Sequence, residues 1–130
     1  MPILNVRVGA VRTPDLARNI AATLLELTAS ILGKDPRLTS IAIDWVDPAD
    51  WFVGGRSLAE QGKTSFYFDI RVTDESNTKD EKARYLRGVF AALRGLLGDL
   101  HEESYIHVMD VRAGAYGYGG LTQEYRYQHK

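Results

Sequence analysis

Ile3-Leu4-Asn5-Val6-Arg7-Val8, at the head of the chain, returns in kind as Tyr67-Phe68-Asp69-Ile70-Arg71-Val72 at the opening of the second half. Both stretches alternate with a period of two, and both carry a polar residue two positions before an arginine, so both read as strands. Each strand leads into a helix. Thr13-Pro14-Asp15 opens the first with a threonine N-cap, a proline in the first turn and an early acid. Leu16, Ile20, Leu24, Leu27 and Ile31 mark one face of that helix, and Gly33 ends it. The second helix opens on the capping box Thr78-x-x-Glu81. Its stripe is expected to run through Leu86, Phe90, Leu93 and Leu97, with Gly98 as the stop.

A further strand comes after each helix, Ser40-Ile41-Ala42-Ile43-Asp44-Trp45 in the first half and Tyr105-Ile106-His107-Val108-Met109-Asp110 in the second. Each half then closes on an aromatic segment ending in two glycines, Trp51-Phe52-Val53-Gly54-Gly55 and Tyr116-Gly117-Tyr118-Gly119-Gly120. The chain is therefore β-α-β-hairpin written twice, at an offset of about 64 residues. A strand-helix-strand unit sets its strands parallel through a right-handed crossover. The expected fold is α+β: one domain over residues 1–130, with pseudo-repeats at 2–58 and 65–121 and a tail at 122–130. Two tandem β-α-β units would form a four-stranded mixed sheet with two helices on one face. The polar, tyrosine-rich tail is compatible with an edge strand, a flap or disorder.

One sheet face is left uncovered by this plan. Asn5, Arg7, Asp44, Asp69 and Arg71 fall on it, a polar set unsuited to a dry core. The reading adopted is that this face lines the centre of a homo-oligomer, with Arg7 and Asp69 meeting on neighbouring strands; a face open to water is the alternative.

Composition narrows the class. Of the 130 residues, 45% are apolar and 25% charged, typical of soluble globular domains. A net charge of -1 gives no field favouring nucleic acid or an anionic membrane as partner. The absence of cysteine excludes disulfides, thiolate metal sites and cysteine nucleophiles. MPILNVRV has neither a basic n-region nor a long apolar h-region, so a cytoplasmic protein is expected.

In this order of elements the sequence resembles the tautomerase superfamily. The N-terminal half is similar to 4-oxalocrotonate tautomerase through Pro2-Ile3, Val11-Arg12-Thr13, Leu38-Thr39-Ser40-Ile41 and the hairpin ending Gly54-Gly55. In length, and through Gly33-Lys34, Gly54-Gly55, Tyr105-Ile106-His107, Asp110, Ala113 and Gly117-Tyr118, the chain is similar to the macrophage migration inhibitory factor branch. The resemblance runs to about Leu121 and implies a homotrimer and a cofactor-free, metal-free isomerase. It also implies a catalytic Pro2, a carboxylate-binding Arg12 and a Lys34 that approaches the substrate. Trp51 takes the place of an active-site phenylalanine, and Tyr105, His107, Tyr116 and Tyr118 fall on pocket-lining positions, some reached from a neighbouring subunit.

The chemistry of Pro2 can be argued without the resemblance. Once Met1 is lost, Pro2 carries a secondary amine, and an unperturbed α-amino group titrates near ~8. Burial or a nearby cation disfavours the ammonium. A neutral amine can then take a proton from the carbon beside a carbonyl and return it elsewhere, a role that typically supplies ~10²- to 10⁴-fold. The bland alternative for Pro2 is a strand-start proline. Arg12 has the fork that suits a carboxylate, against the alternative of a solvated residue before a helix cap. The alternatives for Lys34 and His107 are service to a helix C-terminus and a structural hydrogen bond. No second histidine or acid stands at ligand-like spacing from His107.

Departures from the family patterns limit the substrate. The second arginine of 4-oxalocrotonate tautomerase falls on Ala42, which disfavours a dicarboxylate. Tyr118 stands where the cis-3-chloroacrylate dehalogenase has its water-activating glutamate, and of that enzyme's arginine pair only Arg71 is nearby. The expected activity is keto–enol tautomerisation of a small 2-oxo acid or its enol. Hydration, dehalogenation or decarboxylation is the runner-up, and a non-catalytic trimeric binding protein the rival from another class.

Overall fold

A computed structural model describes residues Pro2–Lys130, so the removal of Met1 lies outside the described residues. Strand β1 (Ile3–Gly9) leads to helix α1 (Pro14–Leu32) and strand β2 (Ser40–Val46). A hairpin of β3 (Phe52–Val53) and β4 (Arg56–Ser57) runs into the short helix α2 (Leu58–Gln61). The second half repeats this: β5 (Ser65–Thr73), α3 (Lys79–Leu97), β6 (Tyr105–Val111), hairpin β7 (Gly117–Tyr118) and β8 (Leu121–Thr122), then α4 (Gln123–Gln128). The tail left open by the sequence is thus a strand and a helical turn, the counterparts of β4 and α2.

The four-stranded sheet has the order β2-β1-β5-β6. Strands β1 and β2 are parallel, as are β5 and β6, while β1 and β5 are antiparallel. Both helices lie on one face, as the repeat requires. The helix caps form where the sequence puts them. Thr13 accepts from the Leu16 amide at 3.0 Å, and Gly33 closes α1 in the left-handed region at φ 70°. Thr78 and Glu81 exchange both bonds of the capping box, at 3.1 and 2.7 Å. In both hairpins the two glycines have positive φ, 64° and 81° at Gly54-Gly55 and 62° and 81° at Gly119-Gly120. That is the primed turn that suits the right-handed twist of short hairpins.

The core lies between sheet and helices. Leu4, Val6 and Val8 from β1 and Phe66, Phe68, Ile70 and Val72 from β5 meet Ile20 and Leu24 of α1 and Tyr85, Val89 and Leu93 of α3. The second helix is therefore turned by one position from the expected stripe. Leu93 and Leu97 are buried as expected and Phe90 is half-buried, but Leu86 is 38% exposed and Tyr85 and Val89 take the core. The reason is polar. Tyr85 buries its ring and satisfies its hydroxyl on Thr28 Oγ1, also buried, at 2.8 Å across the two helices. Burial pushes the Tyr85 phenol up to about 12, against the smaller opposing effect of the Thr28 bond.

The opposite sheet face carries Asn5, Arg7, Asp44, Asp69 and Arg71, all at least partly exposed. Register corrects one expected contact. Arg7 stands opposite Tyr67 and Asp44, while Asp69 stands opposite Asn5 and His107. Asp69 pairs instead with Arg71 on its own strand at 3.5 Å and accepts from Asn5 Nδ2 at 3.5 Å. Ile3 and Met109, 41% and 40% exposed, add apolar surface to the same face. Among the described residues no helix is long and apolar enough to cross a membrane.

Candidate active site

Pro2 is buried at the mouth of β1, where its carbonyl accepts from the Ser40 amide at 3.1 Å. As the residue before the strand it needs no ladder donor, so proline fits there. Because β5 is antiparallel to β1, the C-terminal end of β5 lies beside Pro2. The loop after α1 and the start of α3 converge on the same end. Lys34 Nζ donates to Ser76 Oγ at 2.9 Å, and Ser76 in turn donates to the Thr73 carbonyl. Lys34 is half-buried, and burial holds its ammonium below the ordinary lysine range, although Glu81 and Asp110 pull the other way. Asp110 is paired with Lys82 at 2.6 Å. Tyr116, from the second hairpin, meets Thr73 Oγ1 through its hydroxyl at 2.7 Å. Pro2, Lys34 and Tyr116 thus gather at one end of the sheet.

The remaining expected residues do not. Arg12 comes after the far end of β1, is exposed, and makes no ion pair among the described residues. Trp51 lies over Gly9, the last residue of β1. A Cβ at Gly9 would sit 2.8 Å from Trp51 Cε3 and 2.8 Å from Leu58 Cδ1, so only glycine admits this contact. Trp51 lines a cavity of about 350 Å³ with Arg7, Val46, Asp50, Phe52 and Tyr67. Tyr105 starts β6 at this second end and donates to Glu103, a bond that raises the Tyr105 phenol above its usual value. His107 lies midway along the open face, edge-on to Tyr67 with ring centroids 5.4 Å apart.

Tyr118 belongs to neither constellation. It walls a second cavity of about 350 Å³ with Thr73, Gln123, Arg126 and Tyr127, whose lining shares Thr73 with the Tyr116 contact. Sequence reading passed over Arg126 because its segment had no assigned structure. The repeat offers the signal, since Arg126 is the counterpart of Gln61 at the end of the short helix. Among the described residues no group of three or more acidic or histidine side chains is placed to hold a metal ion.

The residues that the sequence grouped together are therefore divided between the two ends of the sheet, with His107 and Tyr118 at neither. Pro2 and Arg12, at opposite ends of β1, meet only if two copies of the chain meet.

No family model matches the chain. Probable tautomerase K2 of Dickeya dadantii (strain 3937) is 33% identical over 64 residues, which are 47% of this chain and 92% of that protein. That relative is thus about the length of one repeat. Among solved structures, a fused 4-OT described as a symmetric trimer aligns over 94% of this chain and 96% of its own, at 18% identity and a TM-score of 0.79. A macrophage migration inhibitory factor-like protein from Entamoeba histolytica aligns over 93% and 97%, at 16% identity and a TM-score of 0.77. An FG41 malonate semialdehyde decarboxylase aligns over 98% and 97%, at 16% identity and a TM-score of 0.75. These structural likenesses carry the fold. With the K2 relative matched over nearly its whole length, the chain belongs to the tautomerase superfamily.

Proposed function

We propose that the protein is a cofactor-independent keto–enol tautomerase of a small 2-oxo acid, with the amine of Pro2 as acid and base. The observation that carries this reading is the burial of Pro2 at a sheet end shared with Lys34 and Tyr116. An amine freed there by loss of Met1 is desolvated, which disfavours its charged form. The neutral amine takes a proton from the carbon next to the substrate carbonyl while the carbonyl oxygen gains one. The resulting ammonium gives its proton up, so the net change is an isomerisation. In this reading Lys34, whose ammonium donates to Ser76, binds the oxygen on which charge develops.

Self-association belongs to the same reading. A homotrimer would bring Arg12, Trp51, Tyr105 and His107 of one copy to the Pro2 end of another. The likeness to a fused 4-OT described as a trimer supports this, as does the open face with its exposed Ile3 and Met109. Arg12 would then grip the substrate carboxylate in a bidentate pair.

The test is the ultraviolet-monitored ketonisation of phenylenolpyruvate by the parent and by Pro2→Ala, with the loss of Met1 read by intact mass on both. A fast parent rate that collapses in Pro2→Ala is the expected result. A rate no faster than buffer, with Met1 shown to be gone, would overturn the proposal and leave another superfamily reaction or a binding role.

A further inference from the structure

The two hairpins of the repeat do the same structural job with different residues. In the first, Gln61 Nε2 donates to the carbonyls of Val53 and Arg56, each at 3.0 Å, and so ties the short helix to the hairpin. In the second, the counterpart is Arg126. Its Nη2 donates to the Tyr118 carbonyl at 3.0 Å, and Tyr118 is the counterpart of Val53. An amide suffices for the tie, and the arginine brings a charge and further donors that the tie does not use.

The surroundings are built around that guanidinium. It stacks on the Tyr118 ring, with Cζ 3.9 Å from the centroid. A Cβ at Gly119 would sit 2.7 Å from Arg126 Nη2, whereas a Cβ at the equivalent Gly54 would meet nothing within 4 Å. Arg126 Nε is buried and has no hydrogen-bond partner among the described residues. Neither Arg126 nor Lys130, which lies across the Tyr127 ring at 4.9 Å, has a carboxylate within ion-pair distance among those residues. Glu124, on the same helix, turns its carboxylate toward Gly114 instead. Both cations line the cavity of about 350 Å³ whose wall includes Thr73, and Thr73 ends the strand that runs beside Pro2.

We infer that this cavity is a carboxylate-binding subsite supplied by the Pro2-bearing copy itself, with Arg126 as the binding residue. Its ligand is the carboxylate of a planar organic acid, whose flat body lies against Tyr118 and Tyr127. A carboxylate accepts from more than one fork, so Arg126 can act together with an Arg12 brought by another copy. The inference rests on the proposed function only in placing a 2-oxo acid there.

Arg126→Gln restores the residue of the first repeat, so it keeps a hairpin tie while removing the charge. Calorimetric titration with phenylpyruvate and with its methyl ester separates the two roles. The expected result is that Arg126→Gln weakens phenylpyruvate binding about ten- to hundredfold, as loss of a charged hydrogen bond does, and changes ester binding by no more than about twofold. Arg126→Lys, which keeps the charge and loses the fork, falls between. It also serves if the glutamine variant fails to fold. Equal losses for acid and ester, no loss for either, or no phenylpyruvate binding by the parent would overturn the inference. Failure of the Pro2 reading looks different: no ketonisation by the parent, with the acid-selective loss in Arg126→Gln intact.

Discussion

Gly9 shows how one missing side chain shapes a site. Its Cα is the floor on which Trp51 lies, and the added methyl of alanine would press on both Trp51 and Leu58. Overpacking of this kind costs about 1–3 kcal/mol. Gly9→Ala is therefore expected to lower stability by that amount in urea unfolding and to shift the tryptophan emission of the native state. Unchanged emission would mean that the indole does not rest there. The second repeat supplies a comparison, for the matching position is Thr73, whose hydroxyl bonds Tyr116 instead of making room for it. Such pairings were not legible in the sequence. Trp51 and Tyr116 could be named as aromatic positions, but a period-two pattern does not encode which strand end a hairpin folds over. Arg7 and Asp69 show the same limit. Alternation placed both on the open face, yet register sets Arg7 opposite Tyr67 and Asp69 opposite Asn5. The identity of a facing partner depends on strand pairing that the local pattern does not specify.

At the scale of elements the caps were plainly written. Thr13, Gly33, Thr78 and Glu81 act through bonds to backbone a few residues away, so local sequence determines them. The backbone amide of Thr78 holds the Glu81 carboxyl below the usual carboxylate range. A depressed carboxyl stabilises the fold in its ionised form. Its contribution is present above the ordinary value of 4.5 and is lost as pH falls through the lower folded value. Acid unfolding of the parent should therefore be steeper than that of Glu81→Gln over this range, and identical acid limbs would mean that the capping box contributes nothing through its charge. The phase of α3 was less legible, because Leu86 and Tyr85 are adjacent and either can lead an apolar stripe. Tyr85 wins because Thr28, on the facing helix, gives its hydroxyl a partner. Tyr85→Phe leaves Thr28 Oγ1 buried and unsatisfied, which costs about 1–3 kcal/mol. The double variant with Thr28→Val should recover part of that loss, and additive losses would mean the two hydroxyls do not interact. At high pH the raised phenol acts in the other direction. A group buried as the neutral phenol favours unfolding once the unfolded chain can ionise it, so the stability it contributes is full below 10.0 and is lost as pH rises toward about 12. Above pH 10 the stability of the parent should therefore fall more steeply with pH than that of Tyr85→Phe, and equal slopes would mean the phenol is not buried.

For the whole molecule the decisive fact is that Pro2 and Arg12 flank opposite ends of β1. Tandem duplication reverses the second unit against the first, since β1 and β5 are antiparallel, and so each end of the sheet receives the hairpin and the helix start of one repeat and the strand starts of the other. Pro2 lies at the end served by the second hairpin, and Arg12 and Trp51 at the end served by the first. If the site is shared between copies of a ring, two variants defective in different halves should repair one another. Pro2→Ala lacks the amine but offers an intact Arg12, while Arg12→Ala offers an intact Pro2. Unfolded together at equal amounts and refolded, the two chains would distribute at random. About a quarter of the sites would then combine a native Pro2 with a native Arg12. At substrate concentrations well below the KM of Arg12→Ala, the refolded mixture should recover about that fraction of the parent rate, while the same variants mixed without unfolding should recover none until subunits exchange. A refolded mixture no more active than the average of its parts would place Arg12 outside the site of a neighbouring copy. Carboxylate recognition at Pro2 would then depend on cations of the same chain, Lys34 and Arg126, and the acid-selective loss in Arg126→Gln would have to explain it alone.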